Sequence, residues 1–262
     1  MHNYFAFLGK ELMENLRTKK LLVLVCVFFS SAITSPLLTR YMGEFFALLL
    51  PADDEIGQLM AAALGAMTWA DSYAQLYGNL GQMGALTILL LFMGIILREK
   101  SSGTADLVFT KGLQPSVFVL AKFTVSGLIT LAVTFASVLI GYVYTLLLFE
   151  YAGSLVHVLM GGLVFGVFLL MMLAVITFCS AIAKSTPISA VLGLAAFMFF
   201  GFTAIIPRIG RFSPGTLMAA FPLEITAGRM PDGLGVNIAI TVAIAIVSLW
   251  GATAVSAKRH SD

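Results

Sequence analysis

Six runs of mostly apolar residues divide this chain, at 21–38, 80–97, 117–149, 155–183, 187–206 and 236–257. A helix needs about 20 such residues to cross a bilayer's hydrocarbon core. Only helices and closed barrels satisfy every backbone polar group there. None of the six runs alternates polar with apolar as a barrel strand would. The sequence therefore predicts an all-α integral membrane protein with six transmembrane helices, forming one transmembrane domain over 1–262. The runs 117–149 and 155–183 exceed what a bilayer requires, so they tilt or protrude.

Composition supports this reading. Only 11% of the residues are charged and 60% are hydrophobic, whereas a soluble domain carries about 25% charged residues. So few charges could not cover a surface in water. Cys26 and Cys179 both lie inside apolar runs and read as small buried hydrophobes, with no disulfide framework. The run 21–38 follows a charged stretch, but no small-residue cleavage site follows it, so it reads as a permanent anchor.

Lysine and arginine set the orientation. One side of the membrane holds Lys10, Arg17, Lys19, Lys20, Arg98, Lys100, Lys111, Lys122, Lys184, Lys258 and Arg259; the other holds Arg40, Arg208, Arg211 and Arg229. The richer side is expected to be cytoplasmic, with both termini inside. Lys122, near one end of its span, is expected to snorkel to water. The long outer loop 39–79 carries Glu44, Asp53, Asp54, Glu55 and Asp71.

Ahead of the first run, Phe5, Leu8, Leu12 and Leu16 recur at helical spacing, with Lys10, Glu11, Glu14 and Arg17 between them. This predicts an interfacial helix over about 3–18, apolar face to lipid. Residues 56–77 are expected to form helices near the outer leaflet, with Asp71 capping one of them. Pro207, Pro214, Pro222 and Pro231 break the loop before the last run. That loop reads as half-helices or a re-entrant turn, tolerated where protein or water covers its backbone.

Catalytic signatures are missing. Lys184-Ser185-Thr186 lacks the glycines that let backbone amides cradle a phosphate. His2, His157 and His260 are scattered, which makes a metal site improbable. Glu150 and His157 flank one short turn, where a proton relay competes with plain solvation and solvation is favoured. Gly78, Gly81 and Gly84, and the pair Gly162 and Gly166, suit close helix packing. Packing within the subunit is favoured over a contact between subunits.

The connector after the second run is different. Arg98-Glu99-Lys100-Ser101-Ser102-Gly103-Thr104-Ala105-Asp106-Leu107 is charged and broken by glycine, and Pro115 and Lys122 follow. Thr104 can cap a turn, and Leu107, Val108 and Phe109 offer an apolar patch closed by Lys111-Gly112. Composition by itself slightly favours a solvated loop with an amphipathic helix lying on lipid.

This stretch resembles the signature of ABC transporter permeases of the type-2 exporter family, which runs roughly Arg-Glu-Lys-Glu-x-Gly-Thr-Leu-Glu-Leu-Leu-Leu. Ala105 stands where leucine is frequent. The interfacial helix, six spans and proline-broken last outer loop agree with the resemblance, as does Trp69-Ala70-Asp71-Ser72-Tyr73-Ala74-Gln75. The resemblance implies a permease of the bacterial inner membrane, paired with a second permease subunit of the same or a related chain. Cytoplasmic ABC ATPase subunits would bind ATP and Mg, and this chain would hold no cofactor or nucleic acid. Residues 98–115 would include a cytoplasmic coupling helix seated on the ATPase. Glu99 would be its principal residue, supported by Arg98, Lys100, Gly103, Thr104 and Asp106. Glu99 would either contact the ATPase or hold the connector's own start. Competing readings are a self-contained secondary transporter or channel, which would place ionisable groups or broken helices at mid-membrane, and an intramembrane enzyme.

Overall fold

A computed structural model describes residues 2–49, 57, 59, 62, 67–104, 110 and 114–261. These residues form helices joined by turns, with no strand among them. An N-terminal helix, His2–Arg17, turns at Thr18 and Lys19 into the first span, Lys20–Leu49. That helix is longer than the apolar run 21–38, and Arg40 and Glu44 lie on it rather than in a loop. Pro36 lies inside it and can donate no backbone hydrogen bond. Around this gap, Ser31, Ser35 and Thr39 donate their hydroxyls to the carbonyls of Val27, Ser31 and Ser35, at 2.8, 2.6 and 2.9 Å. Polar side chains thereby satisfy their needs within the helix, as the membrane demands.

The second span begins at Trp69, well before the apolar run at residue 80. Residues 69–77, expected as part of an outer loop, are its first turns. Thr68 caps it, and Asp71 closes the cap from inside: its carboxylate accepts from the Thr68 backbone N–H at 2.7 Å and hydroxyl at 2.9 Å. The helix Trp69–Asn79 passes into a π-helical segment, Leu80–Gly84, then Ala85–Phe92. It opens into turns at residues 93–96 and resumes as a short helix, Leu97–Ser101. The acidic residues Asp53, Asp54 and Glu55 lie outside the described residues.

The third span is Pro115–Phe149, the fourth Leu155–Ile182, the fifth Thr186–Ile205 and the sixth Leu234–Ser261. These lie within a few residues of the apolar runs. Within their most apolar stretches, 72% of the fourth span is buried inside the chain, against 11% of the fifth and 17% of the sixth. The fourth span is thus the central column, and the fifth and sixth turn most of their surface outward. An even number of crossings puts both ends of the chain on one side, called here the terminal face.

The segment between the fifth and sixth spans folds back as broken pieces, as its prolines require. It holds two 3-10 turns, Gly210–Phe212 and Pro214–Met218, and a short helix, Ala220–Thr226. Fully buried Asn237, on the sixth span, ties it down. Its side-chain amide donates to the Arg211 and Ser213 carbonyls and the Thr216 hydroxyl at 2.8–3.0 Å. Gly81 lets this segment reach the second span, since a Cβ there would lie 2.6 Å from Met218. Gly84 meets Phe28, Gly162 meets Val138 and Gly166 meets Leu131, so these glycines serve packing within the chain. Cys26 is exposed on its span, not buried as expected, while Cys179 is buried.

Candidate functional site

The third span carries a lysine seven residues past its start at Pro115, about 10 Å along the helix. Lys122 does not snorkel. Its side chain is 4% exposed, because the N-terminal helix and the start of the connector lie over it. Its ammonium donates to Glu11 Oε2 at 2.9 Å and to Glu99 Oε1. It also lies 5.2 Å from the centre of the Phe118 ring, itself 5.8 Å from the ring of Phe7. One cation thus joins three elements distant in sequence: the N-terminal helix, the end of the second span and the third span.

The N-terminal helix presents Phe7, Glu11 and Asn15, four residues apart, to the protein, and all three are buried. Leu12 and Leu16 stay exposed, as expected for a face turned to lipid. Glu11, which reads from the sequence as part of a polar face, is instead inside. Burial pushes its carboxyl above the usual range; the Lys122 ammonium pulls the other way without cancelling that effect.

Each carboxylate gives Lys122 one oxygen. The others, Glu11 Oε1 and Glu99 Oε2, are buried without a hydrogen bond. The two residues line a cavity of about 170 Å³ with Asn15, Lys20 and Arg98. Glu11, Glu14 and Glu99 bring carboxylate oxygens within 4.8 Å of one another. Three cations, Lys20, Arg98 and Lys122, line the same cavity, so its charge is already balanced and it is poorly suited to a metal ion.

The connector's start is held on two further sides. Where the second span opens, the backbone N–H groups of Ile96 and Leu97 donate to Ser180 Oγ on the fourth span, at 3.1 and 3.2 Å. Lys100 donates to Ser256 on the sixth span at 3.4 Å. Of the residues singled out in the sequence, Glu99 and Lys100 therefore turn inward and Arg98 is exposed. Gly103 has a φ of +72°, which suits glycine at this turn. The Thr104 and Ser102 hydroxyls share a hydrogen bond at 2.8 Å. Asp106 and the expected coupling helix lie mostly outside the described residues.

Glu11, Lys122 and Ser180 were not legible as partners. Hydropathy marks a lysine inside a span, but not what covers it. Glu150, by contrast, is exposed where the third span ends, and no bond joins it to His157 among the described residues.

The sequence profile of the ABC-2 family transporter proteins matches residues 59–254, most of the chain. This chain belongs to the ABC-2 transporter family. It is accordingly a multi-pass permease component of an ABC transporter, and membership implies association with an ABC ATPase. A search of curated proteins finds no significant match. The match to the ABC-2 profile includes Glu99 and Lys122 but not the N-terminal helix that brings Glu11.

Proposed function

We propose that this ABC-2 permease is the membrane half of an ATP-driven exporter, and that Glu11, Lys122 and Glu99 transmit motion from a cytoplasmic ATPase into the spans. The observation that carries this reading is the buried bonding of Lys122 to both carboxylates. An ATPase seated on the connector and the exposed side of the N-terminal helix would move Glu99 and Glu11. Both grip the third span through one ammonium. Desolvated, hydrogen-bonded charge pairs cost about 2–5 kcal/mol to break, so displacement of the connector drags the span rather than sliding past it. ATP and Mg belong to the partner. The terminal face is cytoplasmic by its excess of lysine and arginine, and a second permease copy or relative completes the path.

In this assignment Arg98, Ser101 and Ser102 are exposed and available to the ATPase, with Gly103 and Thr104 at the turn that follows and Asp106 a further residue for the ATPase contact. Glu99 and Lys100 hold the connector's start. Affinity capture of the tagged full chain from native membranes is expected to bring down a nucleotide-binding ATPase subunit. Capture that yields the permease without any ATPase would overturn the reading in favour of a self-contained transporter.

A further inference from the structure

The cavity beside the Lys122 joint holds charges of both signs, but their pairing is uneven. Glu11 and Glu99 share Lys122. Lys10, from outside the lining, reaches Glu14 at 3.9 Å and Glu11 at 3.8 Å. Lys20 and Arg98 line the cavity too, and among the described residues neither forms an ion pair or a side-chain hydrogen bond. Counting Lys10, four cations meet three carboxylates, which leaves one positive charge uncompensated.

The two unpaired cations come from different elements. Lys20 opens the first span. Arg98 folds back over the opened turn of the second, where Gly94 makes room for it: a Cβ at Gly94 would lie 2.7 Å from Arg98 Nε. Like charges brought to one space repel unless an anion joins them. Farther in, Glu11 Oε1 and Glu99 Oε2 are buried acceptors without a hydrogen-bond donor. The groups around this space therefore call for one negative charge beside Lys20 and Arg98, and for hydroxyl donors beside the two carboxylates. The volume, about 170 Å³, equals the share of about five or six water molecules at about 30 Å³ each. A headgroup fits it; a helix of another subunit, about 10 Å across, does not.

We propose that this cavity holds the headgroup of an anionic phospholipid of the phosphatidylglycerol kind. Its phosphodiester lies between Lys20 and Arg98, and its hydroxyls donate to the free oxygens of Glu11 and Glu99. The cavity sits where the N-terminal helix turns at Thr18 into the first span, beside the end of the second. That is the membrane boundary of the terminal face, and basic pockets between spans at such a boundary suit anionic headgroups. Phosphatidylethanolamine offers the same phosphate, but its own ammonium cancels the charge and leaves the surplus cation unmatched. The bound lipid fastens the N-terminal helix to the first two spans, which goes beyond the permease reading and does not depend on it.

Native mass spectrometry of the full chain, released from detergent containing equal phosphatidylglycerol and phosphatidylethanolamine, tests the site. The expected result is one retained phosphatidylglycerol per chain. Its affinity should fall about fivefold in Lys20→Gln or Arg98→Gln, and about thirtyfold in the double variant. Gly94→Ala should act like Arg98→Gln, because its methyl group displaces the arginine. Lys19→Gln removes the same charge from an exposed neighbour outside the lining and should change nothing. Equal retention of the two lipids would overturn the proposal. An equal loss in Lys19→Gln and Lys20→Gln would mean diffuse surface attraction and overturn it too. Displacement of the lipid by millimolar inorganic phosphate would assign the cations to a soluble anion instead, and retention indifferent to the double variant would place the lipid elsewhere; either overturns the proposal.

Discussion

Lys122 and Glu99, 23 residues apart in sequence, form a buried ion pair that fastens the end of the second span to the third. Glu11, 111 residues from Lys122, completes the joint from the N-terminal helix. The pair closes the connector at its root and ties it to two spans and the N-terminal helix.

Removing the cation should destabilise this joint, because two carboxylates would remain buried without a partner. Lys122→Met is expected to lower stability by about 3–5 kcal/mol. Replacing the whole set, as Glu11→Leu, Lys122→Met and Glu99→Leu together, should recover most of it, since apolar substitutes of similar volume often equal a buried ion pair. Thermal denaturation in detergent measures both. A triple variant no more stable than Lys122→Met would contradict this account of the joint.

The raised pKa of Glu11 predicts a direction in pH. Its ordinary value is 4.5, and burial raises it in the folded chain. Between these values the folded state holds the proton more tightly than the unfolded chain does. The resulting stabilisation is fully present below the ordinary value and is lost as pH rises through the raised one. Relative to Glu11→Gln, the native chain should therefore melt at progressively lower temperature across that window. Lys122, Glu99, Glu14 and Lys10 surround the group and stay unchanged in the comparison. An unchanged difference between the two across the window would contradict it.

Ser180 should matter more than its size suggests. Its hydroxyl accepts the backbone hydrogens of Ile96 and Leu97 where the second span opens. Ser180→Ala leaves two buried donors without a partner, at about 1–3 kcal/mol each. Hydrogen exchange at residues 96–97 should accelerate, while exchange in the core of the fourth span stays slow.

The six spans are plain in the sequence because hydropathy is a property of each segment alone. Pro207, Pro214, Pro222 and Pro231 likewise announced the broken segment before the sixth span, since proline acts on its own backbone. The opening at residues 93–96 gave no such notice: Met93-Gly94-Ile95-Ile96 is apolar and lacks proline, and its freed donors are met by Ser180, more than eighty residues away. Lys122 failed the snorkelling expectation for the same reason. Its partners lie 23 and 111 residues distant, and only the folded chain brings them over it. Phe7, Glu11 and Asn15 lie on one helical face, but the sequence does not say whether water, lipid or protein covers that face.

Orientation has its own test. Exposed Arg229 and Lys184 lie on opposite faces of the six-span bundle. On intact cells, a membrane-impermeant maleimide should modify Arg229→Cys and spare Lys184→Cys. The reverse pattern would place the terminal face outside and remove the site proposed for a cytoplasmic ATPase.

The central claim, that the Lys122 joint couples an ATPase to the spans, is tested most directly at Glu99. The measurement is ATP hydrolysis by the captured ATPase–permease complex in proteoliposomes, with Glu14→Ala on the N-terminal helix as the milder comparison. Glu99→Ala is expected to insert and retain the ATPase, yet to lose at least about tenfold of the permease-dependent hydrolysis, as breaking a desolvated charge pair requires. Glu14, 40% exposed, should cost little, since exposed pairs contribute about 0–1 kcal/mol. An assembled Glu99→Ala complex with native permease-dependent hydrolysis would contradict the account and leave the joint a purely structural tie.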